Sequence, residues 1–183
     1  MPSSDPITIP KVISLVKKIN PLSILDIGAG NGTYGMLFRE LLDLNHGRMK
    51  PESWITTIDA VEVEQSYITP IHKYVYNDLF IQDWMEFSAT SHYDFIFMGD
   101  VLEHFVNWEE ALSKARTIGS IVLVVAPNWK GSINQGEWFG NKHEKHAVEL
   151  TPSMINGRLL SANSKYFMVS FGNESVMGRD ILL

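Results

Sequence analysis

The segment Leu25-Asp26-Ile27-Gly28-Ala29-Gly30-Asn31-Gly32-Thr33-Tyr34-Gly35 constrains the fold more than any other part of the chain. A short, nearly all-apolar run, Ser23 to Ile27, leads straight into a glycine turn, and Tyr34 to Leu44 then follows helical spacing. Strands of that composition are buried on both faces, as in a parallel sheet. Glycines at such a turn let the backbone bend tightly and come close to a ligand, while the first amides of the helix lie beside it.

The rest of the chain repeats this alternation. Lys11 to Ile19 has helical spacing with lysines on one face, and Asn20-Pro21 stops it. Further strands are expected at Trp54 to Val63, Tyr74 to Tyr76, Tyr93 to Met98 and Ile121 to Ala126. Asp83 to Phe87 reads as a turn of helix and Glu109 to Arg116 as a full helix. Thr151-Pro152 opens another helix, with Thr as cap and Pro in the first turn. Two last strands fit Tyr166 to Phe171 and Val176 to Leu183. Strands alternating with helices predict an α/β fold, a mainly parallel seven-stranded sheet with helices on both faces. The last connection is too short for a parallel crossover, so one antiparallel strand is expected near the C-terminus. The whole chain, 1–183, reads as one domain, with a loose arm at 1–10 and a lid loop at 129–150.

The glycine turn discriminates among ligands. A dinucleotide site needs Gly-x-Gly-x-x-Gly, but here Gly28-Ala29-Gly30-Asn31-Gly32 brings the third glycine early. A phosphate-binding P-loop needs Gly-Lys-Ser/Thr, and no lysine is present. Asp26, two residues before the turn, would repel a pyrophosphate and suits a cationic ligand.

Leu25 to Gly32 resembles the first motif of the class I (Rossmann-like) S-adenosylmethionine-dependent methyltransferases, and the likeness extends from about Ile24 to Ile155. The resemblance implies a single Rossmann-like domain and S-adenosylmethionine as cofactor. In that family Gly28, Ala29, Gly30 and Gly32 would pass under the methionine part, and Asp26 would orient its amino group. Ile58-Asp59-Ala60-Val61-Glu62 ends a strand on a carboxylate, which the resemblance assigns to both ribose hydroxyls. Glu62 takes that role, with Asp59 as the rival register. Asp83 would accept from the adenine amino group and Trp84 would border the ring, with Asp78 as the rival.

Tyr93 to Phe105 resembles the family's fourth motif, an apolar strand followed by Leu102-Glu103-His104. Asp100 is the family position nearest the reactive methyl, and His104 titrates near neutrality as a general base would. Asn128, after the fifth strand, and Trp138 and His143, in the lid, are expected to meet substrate. Either His143 or His146 could be a base, and His146 is favoured by its place before Thr151-Pro152. No residue is assigned to a metal. However, Asp100, Glu103, His104 and His146 are similar to the carboxylate–histidine cluster of the metal-dependent small-RNA 2′-O-methyltransferases, which have Glu where this chain has Asp100.

The expected function is therefore methyl transfer from S-adenosylmethionine to an O or N of a small-molecule acceptor. The alternatives are the metal-dependent RNA enzyme and a non-catalytic S-adenosylmethionine-binding protein. Net charge is −6, which gives no general attraction to nucleic acid or anionic membrane. There is no cysteine, so disulfides and thiolate metal sites are excluded. No apolar run approaches the ~20 residues that span a bilayer, and the polar start has no signal-peptide pattern. A cytoplasmic protein is expected, either monomer or homodimer.

Overall fold

A computed structural model describes residues 5–128 and 141–172. Seven strands form one sheet in the order β3-β2-β1-β4-β5-β7-β6. They are β1 (Ser23–Ile27), β2 (Thr57–Glu62), β3 (Leu79–Ile81), β4 (Tyr93–Gly99), β5 (Gly119–Pro127), β6 (Arg158–Ala162) and β7 (Tyr166–Gly172). The first five pair in parallel, and β7 runs antiparallel to both β5 and β6. The single reversed strand near the C-terminus is as the sequence predicts.

Alternate side chains of each central strand enter opposite layers. Ile24, Phe95, Phe97, Leu123 and Val125 pack under α1 (Ile9–Ile19) and α2 (Thr33–Leu42). Leu25, Ile27, Ile96, Met98, Val122 and Val124 pack against α4 (Trp108–Ile118). Both faces are thus covered, which explains why these strands carry almost no polar residue. α3 (Pro70–Val75) and α5 (Pro152–Ile155) are single short helices, each opening on a proline preceded by threonine.

Three expectations are corrected. The third strand is not Tyr74 to Tyr76: Thr69-Pro70 starts α3 there, and the strand comes later, as the three edge residues Leu79–Ile81. The N-terminal arm is not loose throughout. Pro6–Thr8 forms a 3-10 turn and α1 begins at Ile9. Thr8 is buried there: its hydroxyl donates to the Asp5 carbonyl and lies 2.7 Å from the Tyr34 hydroxyl. The partner of β7 in the final hairpin is Arg158–Ala162, which precedes it; Val176 to Leu183 lies outside the described residues.

Arg39 anchors α2 to the sheet edge. It is fully buried yet makes five hydrogen bonds, to the carbonyls of Thr56 and Val75 (twice) and to Asp43 Oδ2 and Asn77 Oδ1. Trp54 stacks 3.8 Å over its guanidinium. A buried charge is tolerable when every donor is matched in this way.

Candidate active site

The sheet order turns at β1 and β4: chain progression runs outward one way through β2 and β3, and the other way through β5. Ligands of open α/β sheets bind at such a switch point, outside the carboxyl ends of the strands. A cleft opens there, lined by the glycine turn, the ends of β2 and β4, and residues 142–144.

Gly28 opens the turn with φ +73°, and a Cβ there would stand 2.5 Å from Val101 Cγ2. Only glycine allows the turn after β1 and the loop after β4 to lie so close. Gly35 serves a different contact: the Tyr76 ring occupies the space where a Cβ would be, 2.3 Å from it. That close approach lets the Tyr76 hydroxyl reach into the sheet and donate to Asp26 Oδ2 at 2.6 Å.

Asp26 and Glu62 therefore stand buried at the ends of neighbouring strands, both on the cleft. Burial pushes Asp26 up to about 7, against the lowering effect of the Tyr76 hydrogen bond, and the Glu62 charge pushes it in the same upward direction. Burial also raises Glu62, opposed by backbone donors. The Gly30 amide donates to Glu62 Oε2 at 2.7 Å and the Glu64 amide to Oε1 at 2.8 Å. His72, fully buried on α3, braces the same turn. Its Nδ1 accepts from the Thr69 amide at 3.1 Å, so its proton sits on Nε2 and is donated to the Gly30 carbonyl at 2.9 Å. Two carboxylates held this way present acceptor capacity to a cleft ligand carrying a cation and hydroxyl donors.

The rival positions fall elsewhere. Asp59 is buried away from the cleft, accepting from the Tyr93 hydroxyl at 2.8 Å and the Asp78 amide at 3.1 Å. Asp83 lines the cleft and Asp78 does not. Trp84 borders the cleft but is 3% exposed, with its indole N–H donating to the Ala111 carbonyl and its ring stacked on Phe87.

Across the cleft, Asp100 takes a left-handed conformation, φ 48°, with its amide donating to the Val125 carbonyl. The bend turns the chain from β4 along the cleft, where Asp100, Val101, His104 and Phe105 form one wall. Burial lowers His104 below the usual imidazole value. His104 Nδ1 donates to the Lys145 carbonyl at 3.1 Å, since a carbonyl only accepts.

The candidate acceptor residues separate. His143 lines the cleft. His146 does not: it sits behind His104, ring centroids 4.8 Å apart, with Nε2 4.0 Å from Glu103 Oε1. Asn128 is turned toward the final hairpin, its side chain donating to the Asn163 carbonyl and its amide to that of Lys165. Trp138 lies outside the described residues.

Tyr67, His72 and Tyr76 carry no motif and escape sequence reasoning. Tyr67 lines the cleft, donates to Glu144 Oε1 at 2.6 Å and accepts from Asn141 Nδ2 at 2.7 Å, tying residues 141–144 to the loop after β2.

The family model described as a methyltransferase domain matches residues 9–147. The chain belongs to this methyltransferase family. The match covers the glycine turn, the β2 carboxylate and the loop after β4, the same residues on which the sequence resemblance rests. No curated protein matches the sequence.

Solved structures share the fold. The DhpI–SAH complex aligns with a TM-score of 0.64 at 12% identity, over 90% of this chain and 85% of that one. The N-methyltransferase NodS from Bradyrhizobium japonicum WM9 aligns with 0.55 at 13% identity, over 92% and 98%. The plantazolicin methyltransferase BpumL, in complex with a monoazolic desmethylPZN analog and SAH, aligns with 0.53 at 20% identity. That alignment covers 81% of this chain but only 61% of BpumL, so this methyltransferase chain spans less than two thirds of that neighbour's length. Among the described residues, no helix is long and apolar enough to cross a membrane.

Proposed function

We propose that the protein transfers the methyl group of S-adenosylmethionine to an oxygen or nitrogen of a small-molecule acceptor. One observation carries this reading: Asp26 and Glu62, buried on adjacent strand ends, flank a glycine turn whose Gly30 amide is tied to Glu62. Asp26 would take the cofactor's ammonium, Glu62 its ribose hydroxyls and Asp83 its adenine amine. Glu62 has lone pairs beyond those its two backbone donors use, because a carboxylate offers about four acceptor sites.

The cleft also carries Glu64, Asp100 and Glu144, against Lys142 as its one cation among the described residues. So acidic a lining suits a sulfonium and disfavours a polyanion such as RNA. BpumL, a neighbour of this fold, supports the same reading, since a desmethylPZN analog accompanies SAH in it.

Held by Asp26, Glu62 and Asp83, S-adenosylmethionine would supply an electrophilic sulfonium methyl for in-line displacement by an acceptor lone pair, with S-adenosylhomocysteine as the leaving group. The protein supplies alignment and a place for the acceptor's proton. Asp100, His104 and His143 are the groups on that wall. Calorimetry with S-adenosylmethionine and S-adenosylhomocysteine tests the binding, and mass spectrometry of methylated products from metabolite pools tests the transfer. A folded protein that retains neither ligand ends this reading, and binding without turnover leaves the non-catalytic alternative.

A further inference from the structure

The short helix α3 meets the glycine turn and its acid at two points. His72 holds the Gly30 carbonyl, and Tyr76, just past the helix end, donates to Asp26 Oδ2 at 2.6 Å. The two side chains are tied to each other as well: the Tyr76 amide donates to the His72 carbonyl at 3.1 Å, and their rings lie 5.8 Å apart. Tyr76 is buried, and its ring does not line the cleft. Its approach to Asp26 depends on Gly35, where a Cβ would run into the phenol. Glycine inside a helix destabilises it relative to alanine, and α2 carries one at the point where Tyr76 needs the room.

That contact bears on the charge of Asp26. Burial, and then the Asp26 charge, raise the Tyr76 phenol well above its ordinary value, so its hydroxyl stays a donor. A donor aimed at a carboxylate favours the ionised form. Burial works against that form at Asp26, the Tyr76 hydrogen bond opposes burial, and the Glu62 carboxylate on β2 adds to the effect of burial. Among the described residues, Tyr76 is therefore the contact that favours a charged Asp26. The other titratable groups around the pair are His72, beside Glu62, and Tyr34 on α2, raised chiefly by burial and further by Asp100 and Asp26. An ammonium is held by a carboxylate far better than by a carboxylic acid, because charge-assisted bonds are the strong ones.

We propose that Tyr76 is a positioning residue for the cofactor's ammonium: its hydroxyl occupies Asp26 Oδ2 and holds the side chain as an oriented carboxylate, with the other oxygen left for the ammonium. Tyr76 acts through Asp26 and touches no ligand itself. The inference rests on the methyl-transfer reading for the identity of that ligand. It extends the reading by placing control of the cofactor's charge recognition on α3, fifty positions along the chain from the acid it serves.

The test is calorimetric titration of wild type and Tyr76→Phe with S-adenosylhomocysteine from pH 5.5 to 9, beside carbon-13 NMR titration of the Asp26 carboxyl in both ligand-free proteins. Phenylalanine keeps the ring and its packing and removes only the donor. The Asp26 midpoint, about 7 in wild type, should rise by about one to two pH units in the variant. The variant's Kd should then exceed that of wild type about tenfold or more at pH 6, and the ratio should shrink about fivefold or more by pH 9, where both carboxyls are ionised. The ligand's own amine titrates alike in both measurements and cancels in the ratio. In the Asp26→Asn background, where no charge is left to hold, Tyr76→Phe should change Kd by less than about threefold. An unshifted Asp26 midpoint, a Kd ratio constant across the pH range, or an undiminished penalty in the Asp26→Asn background overturns the proposal. Wild type that binds no S-adenosylhomocysteine at any pH ends the methyl-transfer reading and this role with it, whereas binding with a constant ratio ends the role of Tyr76 alone.

Discussion

Asp26→Asn exchanges a titrating buried carboxyl for a neutral isostere, and the structure sets both the sign and the size of its effect. The folded carboxyl titrates at about 7 instead of 3.8, chiefly through burial. It therefore keeps its proton over an interval where the unfolded chain has lost it. The stability this contributes is full below about pH 4 and is lost as pH rises through about 7. Roughly three pH units at 1.36 kcal/mol each set an upper bound on the order of 4 kcal/mol. The introduced amide keeps an oxygen for the Tyr76 hydroxyl, which donates to Asp26 at 2.6 Å. The ligand-free variant should match wild type at pH 4.5 and exceed it at pH 8, by urea denaturation at each pH. Saturating S-adenosylhomocysteine should narrow the variant's advantage at pH 8. The wild-type carboxylate then faces an ammonium, and losing that charge-assisted bond costs about 1.5–3 kcal/mol, a tenfold or greater rise in Kd. Denaturation curves of variant and wild type offset by one constant amount from pH 4.5 to 8 would refute the assignment of Asp26 as the titrating group.

Further predictions follow from contacts around the same cleft and its supports. Glu62→Gln should turn an amide toward one of two N–H donors, lowering stability by about 1.5–3 kcal/mol and raising the S-adenosylhomocysteine Kd at least tenfold, read by denaturation and calorimetry. Gly28→Ala combines a positive φ with a 2.5 Å approach to Val101; about 2–5 kcal/mol of lost stability is expected, measured by thermal unfolding with and without ligand. Arg39→Met removes the partner of Asp43, Thr56, Val75 and Asn77 together. It should cost about 3–5 kcal/mol while leaving the ligand affinity of the surviving folded fraction near wild type, as denaturation and calorimetry on the same samples would show.

What the sequence discloses follows from how local each cause is. The glycine turn, the apolar strands β1, β4 and β5, and the carboxylate at Glu62 are short-range patterns, and their spacing alone orders them around a cleft. β3 and β6 are less legible. β3 has three residues at the sheet edge, and Ile81 is exposed, so pairing with β2 defines it more than composition does. β6 carries a register irregularity between Leu159 and Ser161 that interrupts simple alternation. In the cleft, Tyr76 reaches Asp26 from fifty positions away in sequence, and His72 reaches Gly30 from forty-two. Nothing near either residue announces the contact. The helix over Pro70–Val75 shows a related limit: its proline-initiated start outweighs the β-forming Tyr74, Val75 and Tyr76.

The hydrogen bond between the Gly30 amide and Glu62 joins the glycine turn to the neighbouring strand, and His72 locks the same glycine from the opposite side. A ligand held on that turn, as proposed for S-adenosylmethionine, would meet a pre-ordered surface and spend little entropy on ordering the loop. The opposite wall is suspended differently, from irregular chain around residues 141–148 held by Tyr67 and the Glu103 carbonyl. If the acceptor binds there, as proposed, amino-acid changes in that segment would alter which molecule is modified while the glycine turn and the sheet stay untouched.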